Sequence, residues 1–460
     1  MTALDTLLKN DTSRNIFLKG LNGSGPAMTI ASLFTKGRGS YVCVLNDQEE
    51  AGYFYHDLMQ LTASNEVYFF PSAYRRAIRY GHVDPANEIL RTEVLSRLQD
   101  PDASFVIVTY PDALAERVVA REVLKENTLK ISVGEKLDNM FVSDVLDEYG
   151  FEQVDYVYEP GQYALRGSIL DVFSFSYEFP YRIDFFGDEV ETIRTFDVET
   201  QLSKEKLDSI YIVPEMSKNA KDSTSLLGSL PRNTFIAARD LAWCKERIGS
   251  VWNDDPVVAD EESFADIDQM RKKLVRGEDF LREVLDFRRI HFGVRPMGTA
   301  DATIHFSTQT QPIYHKNFDR VSESFHKYLD EGYTLYILSD QEKQANRIRM
   351  IFEDRGDNIP FTAVNRTIHE GFADDTLRIC FFTDHQLFDR FHKFNLKSDK
   401  ARSGKITLSL KELNQFSQGD YIVHIDHGVG QFGGLVRTEV NGKMQEAIKL
   451  IYQNNDIIFV

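Results

Sequence analysis

Eight residues near the N-terminus keep the spacing of a phosphate-binding loop and lack its chemistry. Gly20-Leu21-Asn22-Gly23-Ser24-Gly25-Pro26-Ala27 follows G-x-x-x-x-G-K-[ST], with Pro26 at the lysine position and Ala27 at the hydroxyl position. The lysine would neutralise the β- and γ-phosphates, and the hydroxyl would hold Mg²⁺. Pro26 also removes a backbone N–H, although proline suits the first position of a helix. The setting is right, because an apolar strand candidate (Ile16–Leu18) precedes the loop and a helix candidate (Pro26 to about Leu33) follows it. Gly20, Gly23, Ser24, Gly25, Pro26 and Ala27 therefore read as a degenerate nucleotide loop on an NTPase-like fold. The alternative is a glycine-rich turn that never held phosphate.

Other residues with chemical potential are weaker signals. Asp384-His385 follows an apolar strand as a Walker B motif would, but has no nucleotide to serve. His424, Asp426 and His427 have no fourth ligand nearby, so structural hydrogen bonding is expected rather than a metal site. Tyr74-Arg75-Arg76-Ala77-Ile78-Arg79-Tyr80 interleaves aromatics with arginines, a pattern that can stack on single strands; a solvated loop is expected there. Arg271-Lys272-Lys273, Arg276 and Arg288-Arg289 flank acidic residues, as on an exposed helix face or at a contact with another domain. Neither a Ser/His/Asp nor a Cys/His set points to hydrolysis, and no catalytic residue is assigned.

The bulk composition narrows the class. A chain of 460 residues implies two to four domains. Its net charge of −18 disfavours sequence-independent DNA binding through the bulk of the chain and favours protein partners. The three cysteines are far apart and have no metal-ligand spacing. The sequence has no apolar run of transmembrane length and no signal peptide, so a cytoplasmic protein with no membrane partner is expected.

Elements alternate in a way that divides the chain. Residues 1–117 carry strand candidates at Ile16–Leu18, Tyr41–Leu45, Val67–Phe70 and Phe105–Val108 with helical patterns between them, hence an α/β parallel sheet. Residues 118–205 hold a short helix (Val142–Tyr149) and closely spaced strands at Tyr163–Leu165, Ser168–Phe173, Tyr181–Phe186 and Glu191–Phe196, an inserted α+β module. Residues 206–312 continue the first domain and include a long charged helix near Glu261–Val275. A further small α/β domain covers 313–395, in which Ser339-Asp340-Gln341-Glu342 has the pattern of a capping box. Residues 396–417 read as a linker. From 418 to 460 the pattern is β, with Asn441-Gly442 as a hairpin turn and a glycine cluster suited to a bulge. The chain stops inside an apolar strand, so a piece of a longer protein is expected.

Along Tyr181–Phe186, alternation places Arg182, Asp184 and Phe186 on one face and Tyr181, Ile183 and Phe185 on the other. The second set can fill a core. The first exposes a cation beside a large aromatic, the pairing enriched at interface hot spots, and Arg166 can reach the same surface.

Three stretches together resemble the N-terminal half of the bacterial transcription-repair coupling factors, the Mfd family. They are the degenerate loop, the run Tyr163-Ala164-Leu165-Arg166-Gly167-Ser168-Ile169-Leu170-Asp171-Val172-Phe173 with Pro180–Glu189, and Gly419-Asp420-Tyr421-Ile422-Val423-His424-Ile425-Asp426-His427-Gly428-Val429-Gly430-Gln431-Phe432. The second is shared with the excinuclease subunit UvrB, and the third is not. The resemblance implies a UvrB-like region whose inserted module binds UvrA through Arg166, Arg182 and Phe186. It also implies a truncated Tudor-like β-barrel that meets the RNA polymerase β subunit through an edge strand at Leu435, Val436 and Thr438. It further implies a non-catalytic adaptor without cofactor, with ATP, Mg and double-stranded DNA left to a downstream translocase motor. The competing expectation is a UvrB-type damage-binding ATPase subunit. Pro26, Ala27 and the short stretch after Phe70, where UvrB has a damage-probing hairpin, speak against it.

Overall fold

The computed structural model describes residues 2–9, 13–62, 66–73, 84–100, 102–198, 200–214, 223–253, 271–390, 392, 394, 396, 419–424, 428–440, 443–452 and 457–459. The chain divides into two compact units, Met1–Ala401 and Arg402–Val460.

The first unit is mixed α/β, built on a seven-stranded sheet that is parallel throughout. Its order is Ala302–His305, Asn15–Lys19, Arg288–His291, Phe235–Ala238, Tyr41–Val44, Val106–Thr109, Val67–Phe69. The strand residues Tyr41 to Val44 and Val106 to Val108 are buried. Such unbroken apolar runs are what a sheet covered on both faces demands. The strands from residues 235–305 do not extend one side of the sheet: two of them sit between Asn15–Lys19 and Tyr41–Val44. The two sequence segments flanking the insertion are thus interleaved in one core.

The intervening segment forms its own six-stranded sheet, ordered Ser203–Leu207, Glu189–Phe196, Tyr181–Phe186, Ile169–Val172, Gln162–Arg166, Glu152–Gln153. It encloses a separate cluster that includes Tyr163, Leu170, Tyr181, Ile183, Phe185 and Ile193, closed by helix Asn139–Glu148 through Val142 and Leu146.

A third sheet spans residues 308–383, with helices Phe318–Asp330 and Glu342–Asp354 packed on it. The expected capping box does not form. Helix Glu342–Asp354 begins after Gln341 with no side-chain cap bond. The Ser339 hydroxyl instead donates to the buried Asp384 carboxylate (3.1 Å). The same hydroxyl accepts from Gln341 N–H (3.2 Å), in the turn before the helix, which starts two residues later than the box requires. Most of the long charged helix expected near Glu261–Val275, and all of Tyr74–Tyr80, lie outside the described residues.

The second unit is a four-stranded antiparallel sheet, Tyr421–His424, Gly428–Val440, Lys443–Ile451 and Ile457–Phe459 in that order. Val440 pairs with Lys443, and Asn441-Gly442, expected as the hairpin turn, lie outside the described residues. The register shifts between Phe432 and Leu435, and Gly434 has φ of 96°. The expected bulge is therefore present, at a position that needs glycine.

Candidate interaction surfaces and the degenerate loop

The loop Gly20–Ala27 sits at the C-terminal end of Asn15–Lys19, the parallel strand next to one edge of the sheet, and ligands of open α/β sheets bind at such strand ends. Gly20 has φ of 91°, and a side chain there would collide with the Phe306 carbonyl. The backbone groups that would cradle phosphate are used within the chain. Asn22 N–H donates to Thr308 Oγ1 (2.8 Å) and Ser24 N–H donates to the Glu370 carbonyl (3.0 Å). The Ser24 hydroxyl accepts from Glu370 N–H (3.0 Å). Ala27 is buried in the core of the parallel sheet.

The adjoining crevice, about 410 Å³, is lined among the described residues by Asp47, Glu49, Glu50, Asp57 and Glu370, with Arg239 the one guanidinium. Arg239 is already paired with Glu50 (2.5 Å). Burial pushes the Asp57 carboxyl up to about 7, against the opposing hydrogen bonds from Ser24 and from His369 N–H (2.6 Å). Carboxyl groups thus outnumber cations in the described lining of this crevice. Beside it, Tyr53 stacks on His369 (3.6 Å between ring centroids), and the His392 ring lies against those of His385 (4.2 Å) and His56 (5.1 Å). These four histidines are spread over more than 300 positions, so no spacing in the sequence announces their cluster.

The inserted module is different. Tyr181, Ile183 and Phe185 are buried and Phe186 is 78% exposed, as alternation requires. The register shift beside Asp184 places its extra residue, Glu191, on the neighbouring strand, so the alternation of Tyr181–Phe186 is unbroken. Arg182 lies across from Asp171 on the next strand and binds it with both ends of its fork (2.7 and 2.8 Å). It also lies over the Phe196 ring at 4.3 Å. Its hydrogen bonds to Asp171 raise the Arg182 pKa above the usual arginine value. Arg166 reaches the same Asp171 carboxylate, donates to the Asp155 carbonyl (2.9 Å) and lies over Tyr156 (5.0 Å).

Asp171 is fully buried, so the two arginines compensate a charge that would otherwise be costly. The structure thus brings Arg166 and Arg182 together on one carboxylate, with Phe186 on the same strand face as Arg182. Asp171 escaped the sequence reading as the centre of this arrangement. The signal was an acid inside the apolar run Ile169-Leu170-Asp171-Val172. Asp184 is held by Arg194 (2.5 Å) and Thr192 (2.7 Å) on the neighbouring strand.

Leu435, Val436 and Thr438 lie on the long strand Gly428–Val440. They pair with Ile448, Ala447 and Gln445. The preceding strand pairs only with residues 428–431, so the stretch from 435 to 440 is paired on one side among the described residues. Asp426 and His427 lie outside the described residues. No cluster of metal-ligating side chains occurs among the described ones, and no described helix is long and apolar enough to cross a membrane.

Comparison with known families decides how these surfaces are grouped. The family described as "UvrB interaction domain" matches residues 129–217, the inserted module, and "CarD-like/TRCF RID domain" matches 416–460, the antiparallel unit. The "Transcription-repair-coupling factor" of Staphylococcus aureus (strain bovine RF122 / ET3-1) is 23% identical over 547 aligned positions, covering 100% of this chain. That of Bacillus subtilis (strain 168) is also 23% identical, over 96% of this chain. This chain is similar along its length to the transcription-repair-coupling factors. It spans about half the length of these curated relatives, 46% and 44% respectively. Both halves of the similarity fall on compact pieces of the fold, each with its own sheet.

Proposed function

We propose that this chain is the adaptor part of a coupling factor, which recruits UvrA of nucleotide excision repair to stalled RNA polymerase. The exposed Phe186, on the same strand face as Arg182 of the Arg166–Asp171–Arg182 constellation and within the segment that matches the UvrB interaction domain, carries this reading. A large exposed aromatic next to fixed guanidinium groups is hot-spot chemistry. Asp171 holds Arg166 and Arg182 in place before a partner arrives, which lowers the ordering cost of association.

The second contact in the proposal is backbone pairing of the RNA polymerase β subunit with the open side of residues 435–440. Strand addition draws its affinity from main-chain hydrogen bonds and tolerates Thr438 where a larger apolar residue would pack better. The degenerate loop serves as framework and binds no nucleotide. ATP, Mg, translocase activity and double-stranded DNA contacts belong, in this reading, to the part of the protein that this chain does not cover. The setting is cytoplasmic.

The decisive experiment titrates UvrA onto this chain by calorimetry, with wild type beside Phe186→Ala. Loss of affinity with unchanged folding is expected. Equal affinity for both would remove the module's outer face from the interface.

A further inference from the structure

At the pole of the parallel sheet opposite the degenerate loop lies a second cavity, of about 570 Å³. It forms where four neighbouring strands begin. Arg14 precedes Asn15–Lys19, Arg38 precedes Tyr41–Val44, Arg232 precedes Phe235–Ala238, and Arg288 opens Arg288–His291. Asp286 is the one carboxylate among its described lining residues. Four guanidinium groups to one acid is the reverse of the chain as a whole, which has 53 basic and 71 acidic side chains.

Arg14 and Arg288 are oriented rather than loose. Arg288 donates to the carbonyls of Leu7 (3.2 Å) and Leu8 (3.0 Å) at the end of helix Thr2–Lys9, and lies over the Phe235 ring at 4.7 Å. Phe235 is backed in turn by Tyr41 (5.3 Å). Arg14 donates to the Asp286 carbonyl (2.6 Å). Backbone carbonyls fix a guanidinium group without cancelling its charge. Arg232 pairs with Asp286 at 2.9 Å, but both side chains are largely exposed, and such a pair contributes little and exchanges readily. The cavity therefore has a fixed cationic back wall and, at its rim, the exposed fork of Arg232.

We propose that this cavity binds a compact polyanion carrying at least two phosphate groups. Arginine forks match phosphate oxygens bidentately. Low-dielectric walls focus the field inside the cavity even though the protein is acidic overall. A concave set of four cations suits a diphosphate. A duplex needs a long basic track, and here it would meet the repulsion of the remaining surface. The site is independent of the UvrA-facing surface, and Phe186→Ala leaves it intact.

The test uses the whole chain in magnesium-free buffer at roughly 150 mM KCl, so that long-range screening is physiological. Inorganic pyrophosphate is titrated by calorimetry and followed by thermal shift, with ADP and orthophosphate in parallel. A dissociation constant under about 1 mM is expected, weakened at least about tenfold in Arg38→Gln/Arg232→Gln with the ligand-free melting temperature unchanged. Pyrophosphate tighter than ADP identifies the free anion as the ligand, and the converse identifies a nucleotide's phosphate tail. No binding at about ten times that concentration, binding indifferent to the double variant, or preference for duplex DNA or an acidic peptide would overturn the proposal. If Arg38→Gln/Arg232→Gln fails to fold, Arg232→Gln alone decides by the same criterion, since its side chain is largely exposed.

Discussion

The loop at residues 20–27 and the strand at 181–186 are both short motifs with a clear spacing, yet the fold treats them in opposite ways. At the loop, the chain spends its own polar groups. Thr308 and Glu370 take the backbone N–H groups, and five carboxylates line the crevice beside it. At the strand, one buried carboxylate holds two arginines, and a phenylalanine remains in solvent. The Arg182 fork is itself taken up by Asp171 and Gln201, so the strand leaves to a partner the Phe186 ring and the partly exposed Arg166. Spacing alone does not separate these cases, because both have it.

The largest effect that would sharpen this contrast is at Asp171. Asp171→Ala strands two guanidinium groups and should destabilise the inserted module by about 3 kcal/mol or more, the usual cost of removing one partner of a buried pair. Urea unfolding followed by circular dichroism measures it. A stable variant that nonetheless loses UvrA would mean that Asp171 orients Arg166 and Arg182 for the partner without stabilising the module.

Next comes Phe186→Ala, expected to weaken UvrA binding by about 1–3 kcal/mol while leaving the unfolding midpoint in place. A shift in that midpoint would mean that the ring packs internally.

The histidine cluster at the loop's other flank makes a smaller, pH-dependent contribution. Burial lowers His369 to about 4 and His392 to about 3, and also lowers His56. The folded state therefore binds fewer protons than the unfolded state, so stability is full above the ordinary histidine range and falls as pH drops from about 6.5 towards 4. Asp57 acts in the opposite direction. Its carboxyl is raised to about 7 by burial, so its share of stability is present below the ordinary carboxylate range and is lost as pH rises towards 7. Asp57→Asn should accordingly steepen the acid-side loss between about pH 4 and 7 by removing the compensating group. Thermal melts across that range check it, and an unchanged slope would count against both assignments.

The smallest effect is expected for Pro26→Lys/Ala27→Thr, which restores the residues of a phosphate loop. It should not restore ATP binding, because the cradle N–H groups stay occupied and the crevice stays acidic. Micromolar ATP affinity in that variant would erase the contrast between the two regions.

Much of this was legible beforehand. Strand Tyr181–Phe186 has the bounds read from its alternation, and the glycine bulge in strand Gly428–Val440 follows from local backbone chemistry. The capping box at Ser339 did not form, because the helix starts after Gln341 and the Ser339 hydroxyl serves the preceding turn and the buried Asp384, 45 residues away. Asp171 as a two-arginine hub and the arginine cavity at the opposite pole were likewise beyond reach. Their members come from strands and turns that only the pairing order makes neighbours.

By itself, the sequence determined periodicity and therefore which faces are apolar, where turns must be, and that Pro26 and Ala27 deprive the loop of lysine and hydroxyl. Those properties belong to one residue and its nearest neighbours. The tertiary structure alone decided that two distant segments interleave in a single parallel sheet, that the loop's N–H groups are taken by residues almost 300 and 350 positions away, and that four arginines converge where those strands begin. Burial and long-range pairing set these outcomes. Both are properties of the assembled core, and no stretch of chain carries them in its spacing.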